Sequence, residues 1–192
     1  KVIFLHLTKT GGESVLEALG TTEKRHAPVS AIIDDDFRKR HGKQLNLSDD
    51  NMVGTWTVDY YLTLIRSNWH SLRITFVRNP WARLVSEYHY NFRQGHDRRD
   101  FNEVIYSLLD YYDSDIWKWS QVRWLSHKGK CYADRVYTLE KNKQKFESDF
   151  GVHLPHKNKT QHKPYKEYYN DKTKKIVELV YADDIKEFGY EF

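Results

Sequence analysis

The chain has 192 residues, of which 39% are hydrophobic and 15% aromatic, so it can bury a core of its own, and we expect a single domain over residues 1–192. Its 31 lysines and arginines outnumber its 27 acidic residues, and this formal net charge of +4 suits an anionic ligand without requiring nucleic acid. No apolar run approaches the roughly 20 residues of a membrane span, and no signal-peptide pattern opens the chain.

The lone cysteine, Cys131, bears on the compartment. One cysteine cannot form an internal disulfide, so the fold does not depend on oxidising surroundings, and a reducing, cytoplasmic compartment is expected. The sequence opens on Lys1 directly before a predicted strand, so an upstream segment, even a membrane anchor, can precede it.

The opening strand is predicted to run through the apolar stretch from Val2 to Leu7. A glycine turn follows, and the apolar residues Val15, Leu16 and Leu19 predict a short helix that ends at Gly20. A strand that enters a helix through a glycine turn directs backbone N–H groups and the positive end of the helix dipole to one point. Such a point binds phosphate or sulfate.

The side chains of this turn also favour an anion. Gly11 and Gly12 permit positive φ and let an anion approach the backbone closely. Lys9 adds a mobile point charge, while Thr10 and Ser14 add hydroxyl donors. The usual P-loop string, G-x-x-x-x-G-K-[ST], is absent because the lysine precedes the glycines, which argues against an ordinary ATP or GTP site.

The next well-defined elements are a strand and a helix in the middle of the chain. Residues 21–30 should lead into or out of a strand, whereas the β-branched and apolar residues 72–77 predict a core strand. Asn79 is a good N-cap and Pro80 a good first helical residue, so a helix should begin at once. Its apolar stripe should face the core, with polar residues on the flanks. The stripe comprises Trp81, Leu84, Val85 and Tyr88, and the flanks carry Arg83, Ser86 and Glu87.

The rest of the chain continues the alternation of strands and helices. A further helix is predicted from Phe101 to Tyr112, a strand over residues 135–139, a cation-rich loop over residues 154–160 and a helix within residues 173–188. Three tryptophans suit either core packing, which we favour, or a sugar-stacking wall. They are Trp117, Trp119 and Trp124. The alternation predicts an α/β fold with a central, P-loop-like parallel sheet flanked by helices.

A second anion site is predicted beside the first. The two strand–turn–helix units, residues 7–19 and 74–90, should end their strands at the same edge of a parallel sheet, where ligands bind in open α/β folds. The second unit offers Arg78 at its strand end and Ser86 farther along its helix. A guanidinium and a hydroxyl at that edge suit a second phosphate.

Both units resemble motifs of sulfotransferases that use 3′-phosphoadenosine-5′-phosphosulfate (PAPS). The 5′-phosphosulfate loop of that family is similar to Lys9-Thr10-Gly11-Gly12-Glu13-Ser14, and its 3′-phosphate motif is similar to residues 76–88. The chain most resembles the carbohydrate branch, Golgi-type and bacterial, which includes the heparan sulfate 2-O-sulfotransferases. Residues 154–159, 165–169 and 183–190 resemble that branch too, so the resemblance spans nearly the whole chain.

This resemblance implies how the donor would be bound at its 5′ end. Lys9 would contact the bridging oxygen of PAPS and stabilise charge on the departing phosphate. The 5′-phosphate would be held by hydroxyl and backbone N–H groups of Thr10, Gly11, Gly12 and Ser14. Glu13 lies within the same motif and is counted with the binding residues. The family often has Thr or Ser there, and Glu13 could instead point away from the ligand as an early-helix charge.

The resemblance also implies a 3′-phosphate site and a base. Arg78 and Ser86 would hold the 3′-phosphate, and Lys159 in the late basic loop would close over the donor. Attack by an alcohol needs a group that removes the hydroxyl proton. Residues 25–28 resemble the histidine segment of 2-O-sulfotransferases, which implies His26 as the base.

Other histidines of the chain have different expected roles. His6 lies close to the loop but in an apolar strand, where it is expected to hold the loop in place. His153, His156 and His162 have the spacing of a metal cluster. The reaction needs no metal, since a lysine and the loop amides already neutralise the developing charge, so no metal site is expected. The family usually has Pro where Thr8 stands, a difference expected to matter little.

The leading prediction is therefore a PAPS-dependent sulfotransferase that modifies a hydroxyl, most simply on an oligosaccharide, and releases adenosine 3′,5′-bisphosphate (PAP). One alternative is a P-loop kinase or nucleotide hydrolase, which would need a lysine after the glycines and a carboxylate for magnesium. Another is a non-catalytic binder of sulfated glycans, suggested by the basic run of residues 141–166. A tyrosine-containing peptide or a small phenol would also suit as acceptor. An N-terminal anchor would place the enzyme in the Golgi lumen.

Overall fold

The computed structural model describes residues 2–20, 72–115, 118–155 and 162–192. The predictions for residues 21–71, including His26, and those for Trp117, His156 and Lys159 lie outside the described residues. The strands are β1 (Val2–Leu5), β2 (Leu72–Val77), β3 (Ser126–His127), β4 (Lys130–Cys131) and β5 (Arg135–Thr138). The helices are α1 (Gly12–Ala18), α2 (Pro80–Gln94), α3 (Phe101–Tyr106), α4 (Leu108–Tyr111), α5 (Gln121–Leu125), α6 (Lys143–Phe150), α7 (Asp171–Val180) and α8 (Ala182–Phe188), with a 3₁₀ turn at Tyr165–Tyr168.

Three of these strands form a parallel sheet in the order β1-β2-β5. The register pairs Leu5 of β1 with Thr75 of β2, and Val77 of β2 with Thr138 of β5. Because all three strands run the same way, their carboxyl ends lie at one edge, and α1 and α2 begin just beyond it. The predicted α/β fold is confirmed.

The strands are apolar because both faces of the sheet are covered. Ile3 and Leu5 pack on one face with residues of α2 and α7, whereas Phe4 and Ile74 pack on the other with residues of α1 and α6. Trp119 and Trp124 belong to the first cluster. For these two tryptophans the structure supports core packing.

The start of α2 follows its sequence signals closely. The side chain of Asn79 accepts a hydrogen bond from the N–H of Ala82 at 3.2 Å, and Pro80 occupies the first helical position. The helix ends at Gly95, which adopts the left-handed conformation with φ 75°. The local chemistry of this segment therefore sets where the helix leaves the sheet edge.

Other helices are shorter than their apolar periodicity predicts. The expected helix from Phe101 to Tyr112 is divided at Ser107, whose hydroxyl donates to the carbonyl of Val104 at 2.7 Å. The expected C-terminal helix is divided at Tyr181, whose buried hydroxyl donates to the carbonyl of Lys118 at 2.6 Å. Helical spacing continues across both breaks, so periodicity alone does not reveal them.

The β3–β4 hairpin is absent from the sequence predictions. Its turn residues, Lys128 and Gly129, have φ of 48° and 74°, the left-handed pair that a tight hairpin turn requires. Within the described ranges, no helix combines the length and apolarity needed to cross a bilayer.

Candidate functional site

The candidate site lies at the carboxyl edge of the parallel sheet, in the loop that joins β1 to α1. Lys9 and Gly11 both take left-handed backbone conformations, with φ of 61° and 78°. Thr10 between them is fully buried, and its hydroxyl donates to the carbonyl of Leu7 at 3.1 Å. That hydroxyl therefore holds the loop, and the N–H of Gly12 at the helix start belongs to the first turn, whose N–H groups in general have no partner within the helix.

Gly12 is required by a close contact with His6. A Cβ placed on Gly12 would lie 1.7 Å from His6 Nε2, far inside any real contact. The imidazole is buried and stacks on Phe4, with ring centroids 5.2 Å apart. His6 thus packs beneath the loop, as expected of a residue that holds the loop in place.

Arg78 connects the two predicted anion sites. Its Nη1 donates to the carbonyl of Lys9 at 3.3 Å, so the residue that ends β2 contacts the loop that follows β1. Burial lowers the pKa of Arg78, while Glu140 and Tyr190 act in the opposite direction. The backbone N–H of Asn79 donates to Glu140 at 2.9 Å, which places this carboxylate at the same edge.

Three other residues predicted to bind the donor differ in how deeply they are buried. Ser14 and Ser86 are buried in α1 and α2 respectively. Glu13 is exposed in the first turn of α1, where a carboxylate is favourable to the helix dipole. Its exposure agrees with an early-helix charge that faces away from the loop.

The Lys9 ammonium group lies against the ring of Tyr90, with Nζ 4.3 Å from the ring centroid. Such a contact stabilises a cation by roughly 0.5–2 kcal/mol, depending on desolvation. Burial lowers the pKa of Lys9; Glu87 opposes this effect, and the positive charges of Arg78 and Arg93 add to it. Lys9 is therefore a partly desolvated cation, which strengthens its attraction for an anion.

Arg83 is a site residue that sequence reasoning placed on a helix flank. It is only 2% exposed, and its guanidinium donates to the carbonyl of Thr8 at 3.3 Å, to Thr8 Oγ1 at 3.2 Å and to the carbonyl of Trp119 at 3.0 Å. The Thr8 hydroxyl therefore accepts a hydrogen bond that proline could not accept. Arg83 fixes the backbone immediately before Lys9.

Glu87 and Tyr90 share the same face of α2 as Arg83. These three residues occupy positions i, i+4 and i+7, and the outer two contact Thr8 and Lys9. Burial raises the pKa of Glu87, and Arg83 and Lys9 oppose the shift. In the sequence, the helical spacing of Arg83, Glu87 and Tyr90 beside the apolar stripe is the signal that could have identified this face of α2.

His26 and Lys159 are also predicted to belong to this site. His26 and Lys159 lie outside the described residues. His153 pairs with Glu147 at 3.0 Å, while His162 stacks on His89 with ring centroids 5.1 Å apart. Among the residues that the structure describes, no group of three His, Cys, Asp or Glu side chains could hold a metal ion.

Together these elements define an α/β protein with a glycine-containing loop and two neighbouring cations, Lys9 and Arg78, at the carboxyl edge of its sheet. The sulfotransferase family model matches residues 1–191, so the chain belongs to the sulfotransferase family. Among solved structures it is similar to a sulfotransferase from Alicyclobacillus acidocaldarius, with a TM-score of 0.56 and 14% identity over 96% of this chain and 92% of that chain. At that identity the likeness supports the fold alone. No curated protein matches the chain by sequence.

Family membership makes this protein an enzyme of sulfuryl transfer. It confirms the predicted enzyme class and favours it over a P-loop kinase or a non-catalytic glycan binder. The sequence order agrees with membership of this family, since Lys9 precedes Gly11 and Gly12. The Lys9 carbonyl also accepts a hydrogen bond from Arg78, which lies in the second predicted motif.

Proposed function

We propose that the protein transfers the sulfuryl group of PAPS to a hydroxyl group of a carbohydrate. The observation that carries this proposal is the contact between Arg78 and the Lys9 carbonyl, because it brings two cationic motifs together at one sheet edge. An ordinary nucleotide needs one phosphate site, whereas PAPS carries phosphate at both its 5′ and 3′ positions. The residues of this edge suit a ligand with two separate anionic groups.

The β1–α1 loop would hold the 5′ end of the donor. When bound there, PAPS supplies the sulfuryl group. Lys9 would neutralise negative charge that develops at the bridging oxygen, and partial desolvation makes that interaction stronger than it would be in water. The backbone N–H groups of Thr10, Gly11 and Gly12 and the hydroxyl of Ser14 would bind the 5′-phosphate.

The beginning of α2 would hold the 3′-phosphate. Arg78, just before α2, can present its planar guanidinium to a phosphate, and the Ser86 hydroxyl can donate from the helix itself. Lys159 would close over the donor, as the family resemblance implies. Glu13 is exposed, which argues against direct contact with the anion and favours a role in the first turn of α1.

His26 is proposed as the base. A histidine titrates near neutral pH and can remove the acceptor hydroxyl proton as the oxygen attacks sulfur. Lys9 and His26 would then divide the chemistry, one stabilising the leaving group and the other accepting the proton. The proposal for the acceptor follows the likeness to the heparan sulfate 2-O-sulfotransferase branch, and we further propose that residues 1–192 form one sulfotransferase domain.

Calorimetry with PAP and with AMP tests the donor assignment. The wild-type protein should bind PAP about a hundredfold more tightly than AMP, because a phosphate held by a guanidinium and a hydroxyl contributes roughly 3 kcal/mol. Equal affinities would refute the 3′-phosphate site. Lys9→Ala should abolish transfer while the melting temperature stays near that of the wild type.

A transfer assay with radiolabelled PAPS tests the acceptor and the base. Glycans, tyrosine-containing peptides and phenols are offered in parallel, and label should enter the glycan fraction. His26→Ala should lower kcat by about 10²–10⁴-fold, the range that general bases contribute, without weakening PAP binding. A His26→Ala variant with wild-type turnover would reject the base assignment and leave the enzyme class intact.

A further inference from the structure

The side chain of Gln121 binds both backbone groups of Arg78. Its Oε1 accepts from the Arg78 N–H at 2.7 Å, and its Nε2 donates to the Arg78 carbonyl at 2.8 Å. Gln121 is completely buried at the start of α5, 43 residues away in the sequence. The amide therefore acts on Arg78 as a neighbouring strand would act, with one acceptor and one donor.

Arg78 needs such a partner because it lies just past the end of β2. The ladder with β5 extends to the pair Val77 and Thr138, and the N–H of Leu139 then donates to the Val77 carbonyl at 2.8 Å. The next residue, Asn79, already caps α2. Gln121 thus fixes the one backbone unit between the sheet and the helix, and this unit carries the guanidinium that contacts the loop.

Asp184 sets the orientation of Gln121. Its Oδ2 accepts from the N–H of Gln121 at 2.9 Å and from Gln121 Nε2 at 3.1 Å, while its Oδ1 accepts from the N–H of Val122 at 2.8 Å. Asp184 is also completely buried. Because a carboxylate accepts, it holds the nitrogen end of the amide and turns the oxygen end toward the Arg78 N–H.

The charge on Asp184 depends on this arrangement. Burial raises the pKa of Asp184, and the N–H groups of Gln121 and Val122 oppose that shift because they bind the charged form. Arg83 lowers the pKa as well. The buried carboxylate is thus connected both to the 3′-phosphate motif and to the residue that fixes the loop before Lys9.

We propose that Gln121 and Asp184 are positioning residues that hold the Arg78 backbone so that its guanidinium faces the 3′-phosphate of the donor. This inference rests on the proposed function. It predicts a selective defect, since Gln121 and Asp184 bind the Arg78 backbone or its amide partner directly, whereas they reach the 5′-phosphate loop only indirectly, through Arg78 and Arg83. Loss of the network should weaken the binding of ligands that carry a 3′-phosphate far more than the binding of other nucleotides.

The test compares PAP and AMP binding by calorimetry in the Gln121→Met variant. Methionine preserves length and apolar volume but can neither donate to nor accept strongly from the backbone. The dissociation constant for PAP should rise about tenfold, the change expected when a charge-assisted contact is partly lost, whereas that for AMP should change by less than about twofold. The AMP measurement reports the 5′ site in the same protein.

Two further variants make the test decisive. Asp184→Asn keeps the shape but replaces one acceptor oxygen with a donor, so it should reduce the preference for PAP in the same direction. Asn170→Ala removes the N-cap of α7, where the Asn170 side chain accepts from the N–H of Thr173 at 2.9 Å. It should lower the melting temperature without changing the ratio of the two affinities.

The outcomes separate the inference from the function on which it rests. If the wild type prefers PAP and both network variants keep that preference, the positioning role is wrong. A loss of AMP binding equal to the loss of PAP binding would also overturn it, because that pattern indicates general damage. If Gln121→Met does not fold, Asp184→Asn decides by the same ratio. A wild type with no preference for PAP would overturn the proposed function itself.

Discussion

Replacement of Gly12 by alanine should destabilise this protein, although alanine is the better helix former. Gly12 is the first residue of α1 and has no left-handed φ, so propensity alone would favour alanine by about 1 kcal/mol. The added Cβ would lie 1.7 Å from Nε2, 2.1 Å from Cδ2 and 2.7 Å from Cε1 of His6. The imidazole would have to move away from its buried position against Phe4.

The size of the effect follows from these opposed contributions. Overpacking of a buried site costs about 1–3 kcal/mol, and the gain in propensity offsets part of it. We expect Gly12→Ala to lower the free energy of unfolding by about 1–2 kcal/mol, which corresponds to a melting temperature lower by roughly 2–8 °C for a chain of this size. Thermal and urea denaturation measure both quantities.

A double-mutant cycle with His6→Ala identifies the cause. Because His6→Ala removes the clashing ring, the double variant should be more stable than the sum of the single effects predicts, by about 1 kcal/mol or more. Gly151→Ala is the control, since Gly151 has φ 62° and a Cβ there would meet nothing within 4 Å. It should be additive with His6→Ala. A Gly12→Ala variant as stable as the wild type, or an additive cycle, would refute the argument.

The remaining predictions concern charged side chains of α2 and its surroundings. Glu87→Gln should move the alkaline limb of the pH profile of kcat/KM to lower pH, because Glu87 raises the pKa of Lys9 and the proposed transfer requires the protonated lysine. Glu13→Gln, at an exposed position with a smaller influence on Lys9, should shift it less. Arg83→Met should lower the free energy of unfolding in urea by about 3 kcal/mol, since two carbonyl oxygens lose their donor. Thr8→Val, which removes only a hydroxyl acceptor, should cost about 1 kcal/mol.

Specific results would contradict the predictions for Glu87→Gln and Arg83→Met. An alkaline limb that stays in place or moves to higher pH in Glu87→Gln would show that Glu87 does not support the charge of Lys9. An Arg83→Met variant no less stable than Thr8→Val would show that the buried guanidinium contributes nothing beyond its contact with the threonine hydroxyl.

Local chemistry made much of this fold predictable. The parallel strands were visible as short apolar runs, and the start of α2 was visible in Asn79 and Pro80, because those signals act on the backbone of the residues that carry them. The positions of Lys9 and Gly11 were likewise evident from a loop motif. Each of these features depends on neighbours within a few residues.

The supporting contacts of the site were not predictable in the same way. Arg83 donates to a carbonyl 75 residues earlier and to another 36 residues later, and Gln121 binds a backbone 43 residues before it. In the sequence, an arginine on a helix flank and a glutamine after a serine are typical of exposed positions. Their burial follows from tertiary partners, which helical periodicity does not encode.

The hydrogen bond between Arg78 and the Lys9 carbonyl joins the two halves of the site through the protein itself. On the proposed function, the spent nucleotide retains both phosphates and meets the same set of donors. The enzyme would therefore hold its product almost as tightly as its donor, and departure of that product, more than the chemical step, would set the pace of turnover. On the proposed function, inhibition by accumulated product would follow from a site that binds both phosphates.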